Sequence, residues 1–370
     1  MNKTGRLISL DAARGFTIVA MITVNHPGSW EHVYAQLRHK DWNGITFTDL
    51  IFPFFLFFVG VSIALAYTKR LESNAPRSDM YKKIVTRSAK IFAVGIFLNV
   101  LHPVLLYPDF SFSDIRVAGV LQRIALVFLA CAFLFLYCNW KTQAWIGTAT
   151  LLTYWLAMSL IPTPGEGKPM LEPGVNLAAW IDSILLPGKM WKGTWDPEGL
   201  FSTLPAIVTG ITGMLAGKLL LSKISQQEKV NYLLLSGFFA VIIGSIWGTI
   251  FPLNKNLWTS SYVLVTSGIA SVTLGIIYYA LDISGKIKIA RPGIVIGANS
   301  ITVYVLAAFL AIIFYNIPFF GQNLNNHFFN AFTGIGLPFK LVSLMYAIIF
   351  ICVNYIPAYV LYRQKIFIKL

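Results

Sequence analysis

The chain has 370 residues, is 56% hydrophobic and 12% charged, and carries a net charge of +14 with a mean hydropathy of +0.67. A soluble domain holds about 25% charged residues, so this composition excludes an ordinary soluble fold. Apolar runs near the length of a bilayer-spanning helix recur along the whole chain, and the short alternating segments of a β-barrel are absent.

The expected fold class is therefore an all-α polytopic membrane protein with about ten transmembrane helices. It forms a single transmembrane domain over residues 1–370, with no sizeable soluble part and with the lipid bilayer as its surroundings. The N-terminus sets Lys3 and Arg6 before an apolar run, which mimics a signal peptide. Asp11 and Arg14 interrupt that run and no small-residue cleavage site follows, so a retained first span is expected. The ten spans are placed at 8–26, 45–67, 86–106, 116–138, 143–162, 200–221, 230–251, 260–281, 293–315 and 338–361.

Charge tests this layout. With the N-terminus in the cytoplasm, twenty Lys and Arg fall in inner segments and eight in outer ones. That bias follows the positive-inside rule and implies cytoplasmic termini. In a soluble chain the net charge would point to nucleic acid; here it is a topology signal, and no nucleic-acid partner is expected. The longest connection, about 163–199, then lies outside, as does 318–336, expected as an interfacial helix or a loop. Pro162-Thr-Pro-Gly-Glu-Gly-Lys168 lacks the spacing and hydroxyl of a phosphate-binding loop. Cys131, Cys138 and Cys352 sit in apolar runs and are expected in the core. His26, His32 and His102 read as interfacial and His327 as solvated. No metal-ligand spacing is present, so no metal is expected.

Polar residues converge on the outer side of this layout. Asn25 ends span 1. Arg38-His39-Lys40-Asp41-Trp42-Asn43-Gly44 follows, and Asp49 opens span 2. Gln122 and Arg123 enter span 4, Asp196-Pro-Glu198-Gly199 precedes span 6, and Asn254-Lys-Asn256-Leu-Trp258 joins spans 7 and 8. Polar groups at membrane depth are expensive and usually functional. Each cluster also has a plainer use. His39 could cap a helix, and Trp42 and Trp258 could belong to an interfacial belt. Asp11 and Arg14 could neutralise each other as an i,i+3 pair. Asp196 and Glu198 could mark a helix start. Gly210, Gly213 and Gly217 are expected to allow close helix packing. A buried Arg123 needs an anionic partner: Asp49, Asp11 or a ligand phosphate.

These residues resemble the heparan-α-glucosaminide N-acetyltransferase family, a lysosomal transmembrane enzyme and its bacterial relatives. The resemblance is carried by Ser9-Leu-Asp11-Ala-Ala-Arg14-Gly15, Val24-Asn25, His39, Trp42-Asn43-Gly44 and Asp49-Leu-Ile-Phe-Pro53. It continues through Gly119-Val-Leu-Gln122-Arg123, Asp196-Pro-Glu198-Gly199, Asn254-Lys-Asn256-Leu-Trp258, Asn299-Ser300 and Leu361-Tyr-Arg-Gln-Lys-Ile-Phe.

It implies transfer of acetyl from cytosolic acetyl-CoA to the amine of a glucosamine-type sugar beyond the membrane. His39 is implied as the essential histidine and Asn25 as an active-site asparagine. The other matched residues, Asp11, Arg14, Trp42, Asn43, Gln122, Arg123, Glu198, Asn256, Trp258, Asn299 and Ser300, are candidates for binding donor or acceptor. The short form implies ten spans rather than eleven, no lumenal domain, and a bacterial inner membrane. The family also suggests a homodimer.

The chemistry fits these residue types. His39 could take the amine proton or carry the acetyl group, since imidazole titrates near pH 6.5. Asp49 could orient the ring if the turn brings them together, and Asn25 could polarise the thioester. Trp42 or Trp258 could stack on a sugar. The competing readings are an O-acyltransferase of an envelope glycan, a sugar or organic-anion transporter, and a scaffold. A transporter is expected to show internal repeats and midplane binding residues, and neither is evident.

Overall fold

The computed structural model describes residues 7–73, 76–107, 109–111 and 115–368. Lys3, Arg6 and Lys369, which contribute to the charge bias, lie outside the described residues. About 72% of the chain is helical. Helix falls in each of the ten expected stretches, but among the described residues eight helices are long and apolar enough to cross a membrane, or nine if one bent pair counts as a span, against the ten expected. The chain divides into two compact units, 1–40 with 45–52 and 277–370, and 41–44 with 53–276.

The first unit holds α1 (Ile8–Asn25), a 3-10 turn (Ala35–Leu37) and the start of α2 (Phe47–Glu72). It continues with a π turn over Tyr279–Ile283 and then α10 (Ile287–Ala298) and α11 (Ser300–Asn316). A two-stranded hairpin, β1 (Pro318–Phe319) and β2 (Gln322–Asn323), leads into α12 (Leu324–Gly334) and α13 (Phe339–Arg363). α1 and α10 meet backbone to backbone, since a Cβ on Gly15 would run into Gly293 and one on Gly297 into Asp11. Such small-residue contacts are how helices associate where lipid removes the hydrophobic driving force.

The expected span at 293–315 is corrected here. α10 and α11 bend by 76° at Asn299. Asn299 leaves helical geometry (φ −131°, ψ 42°), and its side chain binds the C-terminal backbone, donating to Ile366 O (3.0 Å) and accepting from Ile368 N (2.9 Å). The π turn serves the opposite end of α1: Asp282 accepts from Ile8 N and Ser9 N at 3.1 and 3.0 Å, filling the unpaired donors of a helix start. His26, expected at the interface, is instead buried with its ring stacked on Phe350 at 4.5 Å. Cys352, expected in the core, is exposed.

The second unit holds the remainder of α2, α3 (Arg77–Leu106), α4 (Val120–Tyr137), α5 (Trp140–Leu160), α6 (Leu177–Leu185), α7 (Thr203–Leu221), α8 (Gln226–Trp247) and α9 (Ser260–Tyr278). α5 has span length, but Lys141, Thr142, Gln143, Thr148, Thr150 and Thr153 keep it less apolar than the eight. α4 begins at Val120, because Gly119 before it is extended. α7 packs on α2 through glycine: a Cβ on Gly60 would meet Gly210 O, and one on Gly213 would meet Phe57 O. Tyr154, Met158, Leu177, Phe251 and Leu257 form an apolar cluster under the 163–199 connection, with Trp42, Leu171 and Phe201 packed against it.

Candidate active site

In the first unit the turn does bring His39 to Asp49. Nδ1 of His39 lies 2.7 Å from Oδ1 of Asp49. Asp49 stands in the first turn of α2 and is 1% exposed, whereas the His39 side chain is 48% exposed. The other carboxylate oxygen accepts from Lys40 N (3.1 Å), Thr46 N (3.0 Å) and Thr46 Oγ1 (3.0 Å). The Thr46 N contact is half of a capping box, which ties the carboxylate to the helix start. Gln36 fastens the 3-10 turn to the same place: its Oε1 accepts from Phe47 N and its carbonyl from Thr48 Oγ1, both at 3.1 Å.

This geometry fixes the imidazole. An ionised carboxylate only accepts, so the ring proton belongs on Nδ1 and the basic lone pair on Nε2. A half-exposed imidazole backed by a buried, multiply bonded carboxylate is suited to accept a proton or to attack as a nucleophile. Asn25 lies exposed at the C-terminal end of α1. Arg14 Nη2 donates to Ser300 Oγ at 2.7 Å, joining α1 to the start of α11, and Asp11 is buried on α1. Asn299 spends both functions of its amide on the C-terminal backbone.

In the second unit three of the matched motifs converge on the turn before α7. Arg123 is 1% exposed, and its Nη2 donates to Gly199 O (2.8 Å) and to Ser202 Oγ. Its guanidinium lies over the Trp258 ring, 5.1 Å from the centroid. Nε and Nη1 have no hydrogen-bond partner among the described residues. Its hydrogen-bonding oxygens are therefore both neutral. Trp258 is fully buried, takes a left-handed backbone (φ 51°) and donates Nε1 to Thr209 Oγ1 at 3.1 Å. Left-handed backbone is costly for a bulky residue and collects at functional sites. Buried as it is, Trp258 is a platform for the guanidinium, which corrects the expectation that it could stack on a sugar.

The 41–44 segment is tied to the 252–258 turn. Gly44 N donates to Leu253 O at 2.7 Å, with Gly44 at φ 102°, and Asn43 Oδ1 accepts from Asn254 Nδ2 at 3.1 Å. Trp42 donates Nε1 to Leu171 O at 3.0 Å and meets Trp195 edge-on at 5.0 Å. Asn256 is partly exposed on the turn. Gln122 is 3% exposed, with Oε1 against Gly95 and Gly119 and with Nε2 unpartnered among the described residues.

Glu198 is taken up by an ion cluster. Arg116 binds Asp196 through Nε (2.7 Å) and Nη2 (2.6 Å), and Nη2 also reaches Glu198 Oε2. Asp196 further accepts from Trp191 N and Glu198 N. Burial works against the Asp196 charge, but the Arg116 guanidinium beside it and the two backbone amides hold its carboxyl below the usual range.

Arg116, Thr46 and Gln36 were not singled out from sequence. Thr46-x-x-Asp49 is a capping pattern that could have found Thr46; the others act on residues far away in the chain or through turn backbone.

The sequence profile described as heparan-alpha-glucosaminide N-acetyltransferase, catalytic, matches residues 6–249, well over half of the chain. A mouse heparan-alpha-glucosaminide N-acetyltransferase is 29% identical over 357 residues, covering 82% of this chain and 53% of the relative. Its human counterpart is 29% identical over 352 residues, covering 81% and 52%. The chain thus spans about half the length of the curated relatives it matches. With the profile covering the His39–Asp49 pair and the Arg123 and Asp196–Gly199 motifs, the chain belongs to the heparan-alpha-glucosaminide N-acetyltransferase, catalytic family.

Proposed function

We propose that this protein is a transmembrane N-acetyltransferase that moves acetyl from cytosolic acetyl-CoA to the amine of a glucosamine-type sugar on the other side of a bacterial inner membrane. The single observation that carries the reading is the 2.7 Å contact between His39 Nδ1 and the buried Asp49 carboxylate, in a chain of this family. The donor's side rests on the excess of Lys and Arg in the inner segments. The whole chain, 1–370, serves this one reaction.

The amine nitrogen attacks the thioester carbonyl carbon, the C–S bond breaks, and the electron pair leaves on the CoA sulfur. The amine proton passes to His39 Nε2 and from there to the departing thiolate. In a two-step variant Nε2 itself takes the acetyl group first and the amine then removes it. Asp49 orients the ring in either route. Asn25 donates to the thioester oxygen. Arg123 and Gln122 in one unit, and Arg14, Asp11, Asn299 and Ser300 in the other, are candidates for binding the donor, the two arginines by supplying positive charge for its phosphates. Trp42, Asn43 and Asn256 belong to the acceptor side, while Glu198 serves the Arg116 cluster and Trp258 the Arg123 guanidinium.

The test is transfer of labelled acetyl from acetyl-CoA by the purified protein, with glucosamine and with a neutral sugar offered separately. Label in N-acetylglucosamine supports the proposal. Label only in an ester of the neutral sugar replaces it with O-acyl transfer. Uptake of glucosamine into proteoliposomes without acetyl-CoA, and no transfer, replaces it with transport. A rapid denaturing quench at neutral pH without acceptor separates the routes, since label retained on the protein marks the two-step one.

A further inference from the structure

Asp182 lies on α6, outside the membrane-spanning helices, and is 2% exposed. Asp196 and Glu198 of the same connection are taken up by Arg116, but no ion pair among the described residues includes Asp182. Its Oδ1 accepts instead from Leu200 N at 2.8 Å and Phe201 N at 3.1 Å. Its other oxygen lies against Gly199, where a Cβ would collide with it.

Leu200 N–H and Gly199 C=O belong to one peptide group. Arg123 Nη2 donates to that same carbonyl at 2.8 Å, and Thr203 Oγ1 adds a bond to it at 2.8 Å. In a trans peptide the N–H and the C=O point in opposite directions. A single peptide dipole therefore stands between a buried anion on its hydrogen and a buried cation on its oxygen. Hydrogen bonds in series polarise one another, most strongly where the dielectric is low. A direct ion pair would have satisfied Arg123 by occupying its donors. The relayed arrangement leaves Nε and Nη1 without a partner while placing a counter-charge one peptide away.

We propose that Asp182 is a positioning residue for Arg123: it holds the Gly199–Leu200 peptide from the amide side, supplies the counter-charge through it, and keeps the remaining guanidinium nitrogens for a phosphate-bearing ligand. The ligand class rests on the donor assignment made above; the positioning role does not.

The charge state of Asp182 supports this assignment. Burial pushes its carboxyl up to about 6, against the pull of the Phe201 and Leu200 amides and of Arg123, and Asp196 pushes in the same direction as burial. The titratable groups that face it are Arg123 from α4, Tyr154 from α5 and Asp196 from the loop, and Asp196 and Glu198 also place negative charge near Arg123. A carboxylate whose folded value is raised costs stability above about pH 6 and gives it back as pH falls towards 3.8.

Two readouts decide the matter. The first is the emission of Trp258, obtained as the difference between the protein and its Trp258→Phe variant, because the Arg123 guanidinium lies on that ring. In the unsubstituted protein this signal is expected to titrate near pH 6, and in Asp182→Asn it is expected to be flat. No titration in the unsubstituted protein, or the same titration in the Asn variant, overturns the proposal; the first of these needs only the Trp258→Phe reference to fold, not the Asp182 variant.

The second readout is calorimetric binding of CoA at pH 7.5. Affinity is expected to fall about tenfold in Asp182→Asn, the scale of one charge-assisted hydrogen bond. The melting temperature of that variant is expected to equal or exceed that of the unsubstituted protein. Affinity loss that merely follows a lower melting temperature overturns the positioning role. An unsubstituted protein that binds no CoA, yet shows the Trp258 titration, removes the donor assignment and leaves the positioning role standing.

Discussion

Two cationic side chains seven positions apart, Arg116 and Arg123, reach for the same stretch of chain and are treated in opposite ways. Arg116 meets two carboxylates, Asp196 and Glu198, in a bidentate cluster that also draws in the amides of Trp191 and Glu198. Arg123 meets neutral oxygens and an indole face, and two of its nitrogens are unpartnered among the described residues. A complete cluster is what holds a loop; an incomplete one in a buried place is what a ligand completes. The His39–Asp49 pair in the other unit is treated in a third way, with a buried carboxylate held by several donors and an imidazole half exposed. The lesson is that the charged residues of this chain sort by how fully their donors are used, not by how deeply they lie.

The comparison can be broken most severely at His39. His39→Ala is expected to lower transfer by ~10²–10⁴-fold, the usual reach of general acid–base catalysis, with CoA binding and melting temperature unchanged. Normal turnover in that variant removes the His39–Asp49 pair from the chemistry. Asp49→Asn is expected to cost about 10²-fold in kcat, because an amide no longer dictates which ring nitrogen carries the proton; its KM for acceptor should stay within about twofold if the loss lies in the transition state alone.

At Arg116 the expected effect is on stability. Arg116→Met leaves two carboxylates of a mostly buried cluster without their cation, and breaking such a pair costs roughly 3–5 kcal/mol. A melting curve and CoA titration on the same preparation would show a large thermal shift with little change in affinity once the protein is folded. Arg123→Lys is expected to behave the other way, weakening CoA about tenfold by losing the planar fork, with little thermal shift. If the two variants exchanged their phenotypes, the structural and ligand-facing assignments would have to be exchanged as well.

The smallest expected effect is in acid. The Asp196 carboxyl is held below its ordinary 3.8 in the folded protein. It therefore contributes stability that is fully present above that value and is lost only as pH falls through the lower, folded one. Asp182 is shifted the other way, so between about pH 6 and 3.8 its titration stabilises the fold. Thermal melts of the protein and of Asp182→Asn from pH 7 down to about pH 2.5 separate the two, since the variant should lose the gain between about pH 6 and 3.8 and keep the loss below it.

Much of the membrane architecture was legible before the structure, and for a simple reason. A helix in lipid must satisfy its own backbone and present apolar side chains, so length and hydropathy mark it directly. α1, α4, α7 and α13 lie within a few residues of their expected bounds. The helix-packing role of Gly210 and Gly213 on α7, which face Gly60 and Phe57 of α2, was also readable, because small residues in an apolar run have few other uses. The closeness of His39 and Asp49 could be raised from a ten-residue separation but not settled, since only the turn geometry through Gln36 and Thr46 brings them to 2.7 Å.

The amino-acid order alone determined the membrane class, the helical segments, the charge bias and the motifs that place the chain in its family. Those are properties of composition and local spacing, which no distant contact can reverse. Only the tertiary structure decided that α10 and α11 break at Asn299, because the break is held by the C-terminal backbone more than sixty positions on. It decided that Trp258 lies beneath Arg123 instead of facing outward. It also decided which acids serve Arg116 and which reaches Arg123 only through a peptide group. A charge has no local partner preference that can be read along the chain; its partner is whatever folding places within reach.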